Sequence, residues 1–179
     1  MPASKLTPPP SRPATDATSG SPALLQEAPW RPPVLAAVLL SIPVASVAAS
    51  QLHDTYTDAR GEKRRHDAID IPAPLGTPVL AVDDGTIIKL FDSKPGGLTI
   101  YHFDPAGEFA YYYAHLDRYA VGLAEGHAVR RGDVIGFVGF SGNADPLAPH
   151  LHFAIFRLGP EKSWWKGTAI NPYPCLGGR

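Results

Sequence analysis

Four of the seven histidines lie in three short patterns that could carry chemistry, and an aspartate completes the first of them. His66 and Asp70 are four residues apart, but Pro72 and the alternation around it favour an extended segment over a helix. Fully extended, their Cα atoms would be ~13 Å apart, so binding of one metal ion by both requires a bend between them. On spacing alone, the pair is also typical of a surface histidine beside a solvated aspartate.

The second pattern is a strand-like run over 109–116 that ends in a histidine. Alternation along a strand would place Tyr111, Tyr113 and His115 on one face. Such a polar and aromatic face is typical of a groove wall. The alternative is an ordinary half-buried strand whose histidine is bonded to a backbone carbonyl.

The third pattern is His150 and His152, separated by one residue in a run with Leu151 and Phe153. In a strand the two imidazoles share one face and lie about 6 to 7 Å apart. One could therefore bind an ion while its neighbour meets the water on that ion. A purely structural histidine pair is disfavoured, because adjacent imidazoles repel each other when charged.

Together the patterns offer two histidines and one aspartate as ligands and leave two histidines over. This set suits catalytic zinc, which takes three protein ligands and keeps a fourth position for water. The remaining histidines would handle protons and a developing oxyanion. Cys175 is the sole cysteine, which excludes a thiolate cluster and an internal disulfide framework.

Composition excludes two broad classes of protein. The chain of 179 residues carries 16 Lys and Arg against 17 Asp and Glu, so it lacks the positive charge of a protein that binds nucleic acid through phosphates. Its 44% hydrophobic content is too high for a wholly disordered chain. We therefore expect one folded domain with additional chain, whose function depends on a site.

The additional chain is N-terminal, since residues 1–33 hold nine of the 20 prolines and are predicted to form a disordered tether. Residues 34–179 form the predicted domain, with its core at about 39–174. An apolar run over 34–49 is open to three interpretations: a membrane span, which Pro43 would interrupt, a signal peptide ending near Ala49, or a buried strand from Leu39 to Val44. We favour the buried strand.

Short β-rich runs separated by Gly, Pro, Asp and Asn turns predict an antiparallel all-β fold with few helical turns. One such helical turn is expected between Asp54 and Arg60. The predicted strands are 78–82, 86–91, 98–103, 109–116, 134–140 and 151–157.

The order of these motifs resembles the lysostaphin/LytM-type zinc metallopeptidases over about residues 39–174. The segments that carry the resemblance are His66-x-x-x-Asp70, Gly76-Thr77-Pro78-Val79, Tyr113-Ala114-His115-Leu116, Gly139-Phe140-Ser141-Gly142-Asn143, His150-Leu151-His152-Phe153 and Asn171-Pro172-Tyr173-Pro174.

The resemblance implies a β-sheet groove of the duplicated hybrid motif type that accepts a peptide. By that resemblance, His66, Asp70 and His152 would bind one zinc ion per chain, and His115 and His150 would be the catalytic pair. The usual substrate of the family is the peptide part of bacterial peptidoglycan.

Further residues are predicted at or near the groove. Tyr111, Tyr113 and Asn143 would line it, and the pair Trp164 and Trp165 follows the His150/His152 strand closely enough to add an aromatic wall. Ala68 departs from the family, which usually has glycine there, and its Cβ would restrict the backbone at the bend. His53, His102 and His127 match no motif and are interpreted as structural or surface residues.

The resulting hypothesis is a zinc metalloendopeptidase that cuts direct stem-peptide cross-links of thin peptidoglycan, since nothing selects for an all-glycine bridge. We expect it at the cell envelope, periplasmic or tethered to the membrane through the N-terminal segment. Two alternatives stay open: an inactive module of the same fold that binds or activates another wall hydrolase, and a structural zinc domain. An inactive module would be expected to lose ligands or catalytic histidines, and a structural zinc site is normally closed by four protein ligands.

Overall fold

A computed structural model describes residues 39–60 and 64–176. The predicted tether, residues 1–33, and the start of the apolar run lie outside this part of the chain. Eleven strands and two 3-10 turns, Ala49–Gln51 and Tyr173–Cys175, are present in the described residues. The strands are β1 Ala59–Arg60, β2 Arg64–Arg65, β3 Ile69–Pro72, β4 Pro78–Leu80, β5 Gly85–Ser93, β6 Gly97–Phe103, β7 Phe109–Tyr119, β8 Ala128–Val129, β9 Val134–Val138, β10 His150–Leu158 and β11 Gly167–Ile170.

Nine strands form one sheet, whose hydrogen-bonded order is β11-β10-β7-β6-β5-β8. Strand β3 also pairs with β10, and β9 joins β4 to β7, while β1 and β2 form a separate hairpin. Every strand pairing among the described residues is antiparallel. The predicted all-β antiparallel fold is confirmed, and each of the six predicted strands is present with bounds shifted by a few residues.

The helical turn predicted between Asp54 and Arg60 is wrong. The Asp54 carboxylate accepts a hydrogen bond from the Tyr56 amide at 3.1 Å, which closes a local turn. The chain then enters β1, where Arg60 pairs with Arg64 across the hairpin. A side chain bonded to its own backbone in this way competes with helix formation.

The segment from Leu39 to Val44, predicted as a buried strand, packs against the hydrophobic core through Leu40 and Val44 but does not form a continuous strand. Leu40 and Val44 are each 1% exposed. Leu40 bridges Leu176 in parallel, whereas Val44 bridges Val79 in antiparallel orientation. Because the segment changes partners between these two points, no single ladder forms. No helix within the described residues is long and apolar enough to cross a bilayer.

Strand β10 lies inside the sheet, because its first half pairs with β3 on one side and with β7 on the other. His152 is opposite Asp70 of β3 on one side and opposite Ala114 of β7 on the other. Leu151, Phe153 and other apolar residues of β10 face the core and are fully buried. The alternation therefore leaves its two histidines on the opposite face, as expected for a strand.

Strand β7 contains a bulge that determines which residues reach that face. Leu98 pairs with Leu116 and Ile100 with Tyr113, so β7 has one more residue than β6 between these pairs. His115 lies in the extra length and has a φ of 60°. Histidine is among the non-glycine residues that adopt this left-handed conformation most readily. The bulge places His115 on the same face as Tyr112 and Ala114.

Candidate metal centre and its pocket

Three side chains that the sequence singled out meet at one point. His66 Nε2 lies 3.0 Å from His152 Nδ1, and both nitrogens lie 3.0 Å from Asp70 Oδ1. A tetrahedral zinc ion with bonds of 2.0 to 2.2 Å separates its ligand atoms by about 3.3 to 3.6 Å. The triangle of donor atoms therefore fits a zinc ion to within a few tenths of an ångström.

The bend that brings His66 and Asp70 together falls at Asp67, which has a φ of 54°. Ala68, where the resemblance raised a question about the bend, lies outside the left-handed region. Its side chain is fully buried. The alanine Cβ thus does not obstruct the conformation that the two ligands need.

Thr55 orients the first histidine and was not identified from the sequence. His66 Nδ1 donates to the Thr55 carbonyl at 3.0 Å, and a carbonyl can only accept, so the proton of the neutral ring is on Nδ1. This leaves the lone pair on Nε2 facing the other ligand atoms. The Asp70 amide donates to Thr55 Oγ1 at 3.1 Å, which ties the same residue to the second ligand.

The two remaining histidines lie beside this triangle. The His115 ring centroid is 5.0 Å from that of His150 and 5.6 Å from that of His152. His150 Nε2 is 3.8 Å from Asp70 Oδ1. All five predicted metal and catalytic residues are therefore brought together by β3, β7, β10 and the segment before β3.

Backbone carbonyls orient both of these rings. His115 Nδ1 donates to Ser141 at 2.8 Å, and His150 Nδ1 donates to Ala148 at 2.9 Å. The neutral rings therefore carry their lone pairs on Nε2. The His115 amide also donates to Gly96, and Ser141 Oγ donates to the Leu116 carbonyl at 2.6 Å. These bonds hold the bulged residue from both sides.

Electrostatics favour the ligand forms of these groups at neutral pH. Burial alone would raise the pKa of Asp70, but its contacts with the imidazoles of His152 and His66 hold that pKa well below its usual range. Burial lowers the pKa of His152 and of His115 below the ordinary histidine value. The carboxylate is thus anionic, and these two imidazoles are neutral, as metal binding and proton acceptance require.

A cavity of about 540 Å³ opens over the triangle. All five histidine and aspartate side chains line it, and Asn143 does so as predicted. Its wall also carries Tyr112 and the two oppositely charged residues Arg65 and Asp145. The arrangement can bind a divalent cation next to an accessible space that is large enough for part of a peptide.

The prediction that Tyr111 and Tyr113 line this groove is wrong. They are 1% and 0% exposed and belong to the hydrophobic core. The Tyr113 hydroxyl accepts from the Val82 amide, and the Tyr111 hydroxyl donates to Asp83. The bulge at His115 is the reason, since it removes His115 from the face that the two tyrosines share and leaves Tyr112 at the groove.

The three histidines outside the motifs do not line the cavity. His102 is fully buried against the Tyr111 and Tyr113 rings, whereas His53 and His127 are exposed. This placement agrees with their interpretation as structural or surface residues.

Comparison with known proteins gives consistent matches. The sequence profile of Peptidase family M23 matches residues 64–172. An L-Ala--D-Glu endopeptidase of Bacillus subtilis is 34% identical over 129 residues, which are 68% of this chain and 38% of that protein. A DD-carboxypeptidase/endopeptidase Mpg of Neisseria meningitidis is 44% identical over 113 residues, which are 61% of this chain and 22% of that protein. The chain thus spans less than half the length of these relatives.

Among solved structures, the catalytic domain of lysostaphin from Staphylococcus simulans superposes with a TM-score of 0.59 at 28% sequence identity. The match covers 70% of this chain and 92% of that domain.

Proposed function

Because the chain belongs to peptidase family M23, we propose that it is a zinc metalloendopeptidase that hydrolyses peptide cross-links of bacterial peptidoglycan. The family match also confirms the resemblance drawn from the sequence motifs. The observation that carries the proposal is the triangle of His66 Nε2, Asp70 Oδ1 and His152 Nδ1, with edges of 3.0 Å, beside two further histidines. A relative named as a peptidoglycan DD-endopeptidase supports the substrate class.

Zinc is the proposed ion because two imidazole nitrogens and one carboxylate are a common catalytic zinc ligand set. A zinc ion held there would lower the pKa of water toward about 7 and polarise the carbonyl of the scissile bond. His66, Asp70 and His152 would hold it, and Thr55 would keep the His66 ring in the required tautomer.

His115 and His150 are proposed to move protons. Each ring has its Nδ1 proton bonded to a carbonyl, so Nε2 is the atom that can accept a proton from the attacking water. Burial holds the pKa of His115 low, which keeps its Nε2 unprotonated near pH 7. Once protonated, the same atom can donate to the developing oxyanion or to the leaving amine.

The charges of the cavity wall support a stem-peptide cross-link over an all-glycine bridge. Arg65 is exposed and forms no ion pair with another described residue, and Asp145 lies on the same cavity wall. Stem peptides present free carboxylates and, where a diamino acid is present, an amine. An all-glycine bridge has no side-chain charge that these two residues could recognise.

The two alternatives are less well supported. An inactive module would be expected to have lost ligands or catalytic histidines, and all five are present and clustered. A structural zinc site is closed by four protein ligands, whereas these three ligands border an open cavity. Since the proposed substrate is the cell wall, the proposed location is the cell envelope.

Cross-linked muropeptide dimers, incubated with the zinc-loaded full chain and analysed by mass spectrometry, test this function. We expect monomers with intact glycan. Release of free stem peptides from the sugar, with cross-links untouched, would indicate an amidase and contradict the proposal. A protein that binds zinc and dimers but releases no product would support the inactive module instead.

A further inference from the structure

Five aromatic side chains form a continuous surface that begins at the metal centre, and we call this surface the aromatic ledge: Tyr112, Tyr101, Trp164, Trp165 and Phe91. The Tyr112 and Tyr101 ring centroids are 4.7 Å apart, and those of Tyr101 and Trp164 are 4.8 Å apart. Trp164 also contacts Trp165 at 5.3 Å and Phe91 at 5.7 Å. These separations are those of favourable aromatic pairs.

The inner end of the ledge lies at the proposed ligand His152. Its ring centroid is 6.1 Å from that of Tyr112, which lines the cavity. Successive separations of 6.1, 4.7 and 4.8 Å limit the distance from His152 to Trp164 to about 16 Å. About four extended residues span ~13 Å. A short peptide cut at the metal centre would therefore place whatever is attached to its far end at Trp164 and Trp165.

The outer end of the ledge is exposed. Trp165 is 67% exposed and Phe91 is 41% exposed, which is unusual for side chains of this size. Contiguous exposed apolar surface of this kind marks a binding site more often than ordinary surface does. Because the rings of Trp165 and Phe91 are accessible, a ligand can stack on them.

Polar atoms lie along the same surface. The hydroxyls of Tyr101 and Tyr112 make no side-chain hydrogen bond to another described residue, and neither is a buried unsatisfied group. They are therefore available to a ligand. Open ring faces next to free hydroxyls match a sugar ring, which has an apolar C–H face and a rim of hydroxyl and amide groups.

The charges beside the tryptophans do not favour an anionic membrane. Lys166 pairs with Glu161 at 3.1 Å, and Lys162 donates to the Ala106 carbonyl at 3.0 Å. Both cations next to Trp164 and Trp165 in sequence are thus already bonded within the protein. An uncharged ligand fits this surface better than a lipid headgroup that needs free lysines.

We propose that the aromatic ledge binds the N-acetylated glycan strand to which the peptide substrate is attached. This inference rests on the proposed function, because it assigns the surface to the sugar portion of the same polymer. The enzyme would then hold its substrate at two points, the peptide at the metal centre and the glycan at Trp164 and Trp165. Glycan-linked peptides would bind more tightly than the same peptides without sugar.

A binding experiment without catalysis separates this inference from the proposed function. Chitotetraose, an uncharged N-acetylglucosamine tetramer, is titrated into the full chain with the Trp30→Phe substitution, so that fluorescence reports only on the ledge tryptophans. We expect saturable binding that Trp165→Ala weakens about fivefold to tenfold and Trp165→Phe weakens less. Tyr173→Ala removes an exposed aromatic ring outside the ledge and is the matched control.

A kinetic experiment completes the test. We expect kcat/KM for glycan-linked dimers to exceed that for glycan-free dimers, and Trp165→Ala to remove this difference through KM, whereas the control Tyr173→Ala keeps it. Absence of chitotetraose binding by the Trp30→Phe protein, or equal binding by the Trp165→Ala variant, would overturn the inference even if the endopeptidase is active. Binding to phosphatidylglycerol vesicles that depends on Trp165, without sugar binding, would instead assign the ledge to a membrane.

Discussion

His152 of β10 lies directly opposite Asp70 of β3, and their atoms Nδ1 and Oδ1 are 3.0 Å apart. Strand pairing thus joins two proposed ligands that are far apart in the sequence. His150 is opposite Pro72, two residues further along the same pairing, so its ring borders the triangle without belonging to it. The register of β3 against β10 therefore determines which histidine belongs to the triangle of proposed ligands and which lies beside it.

The different roles proposed for His152 and His150 can be tested by substitution. We expect His152→Ala to lose zinc and activity together. His150→Ala should keep about one zinc per chain and lose activity by roughly 10²–10⁴-fold, the range for a positioned acid–base group. His115→Ala should behave like His150→Ala. Elemental analysis with peptidase assays checks this, and zinc loss in His150→Ala with retention in His152→Ala would exchange the two roles.

Acid should release the metal. The ligand histidines must be neutral to bind, and burial lowers the pKa of His152, so affinity should decrease as the pH falls below the ordinary histidine range of about 6.5. The carboxylate of Asp70, whose pKa is held low, stays anionic throughout this range. Metal content after dialysis at stepwise lower pH measures the release. Protein from zinc-replete medium that contains no divalent metal would contradict the site assignment.

Thr55→Val should weaken metal binding without removing a ligand. The valine keeps the backbone carbonyl that accepts from His66 but removes the hydroxyl that accepts from the Asp70 amide. Loss of such an outer contact typically reduces metal affinity about 10- to 100-fold. Thr57→Val, at an exposed position, is the control. Competition with a chelator measures both variants, and equal affinities would show that Thr55 does not position the site.

Arg65→Met should raise KM for substrates with a free carboxylate and leave kcat little changed. Arg65 lines the cavity and forms no ion pair with another described residue, so its charge is available to the substrate. We expect an increase of roughly 10- to 150-fold, since a charge-assisted hydrogen bond contributes about 1.5 to 3 kcal/mol. Arg65→Lys should retain part of the effect. The same loss on an amidated substrate would mean that Arg65 does not recognise the carboxylate.

His102 should make the folded protein sensitive to acid independently of metal. Burial lowers the pKa of His102 to about 4, whereas the unfolded chain has an ordinary value of about 6.5. The unfolded state therefore binds the proton first, so the free energy of unfolding falls by about 3 kcal/mol as the pH drops from 7 to 4. Urea unfolding with chelator present, at both pH values, measures this change.

His102→Gln is the comparison for that measurement. Whatever the stability of this variant at pH 7, its loss of stability between pH 7 and pH 4 should be smaller than that of the unsubstituted protein by about 3 kcal/mol. Equal losses in the two proteins would show that His102 does not titrate in this range.

The sequence predicted the structure correctly where side chains follow the two-residue alternation of a strand. Alternation in β10 correctly placed His150 and His152 on one face and Leu151 and Phe153 in the core. Turn residues correctly separated the six predicted strands. These features follow from the two-residue repeat of a strand, which is visible in any single chain.

Features that break the repeat could not be anticipated. Because of the bulge at His115, Tyr112 lines the groove instead of the predicted Tyr111 and Tyr113. The bulge itself was not predicted, since a left-handed residue inside a strand has no signature in residue types. The bend between His66 and Asp70 was recognised as necessary, but its position at Asp67 was not. Thr55 orients His66 through its backbone carbonyl, a group that every residue has, so no pattern in the sequence distinguished this contact.

The bulge in β7 also links the orientation of His115 to the packing of the hydrophobic core. Straightening the strand would turn His115 inward and Leu116 outward, since their faces would be exchanged. Holding a non-glycine residue in the left-handed region costs about 1 to 3 kcal/mol. Burial of Leu116, which is 0% exposed, stabilises by about 1.5 to 3 kcal/mol, a comparable amount. Burial of Leu116 thus offsets the backbone strain at His115 and keeps the polar His115 side chain turned toward the cavity.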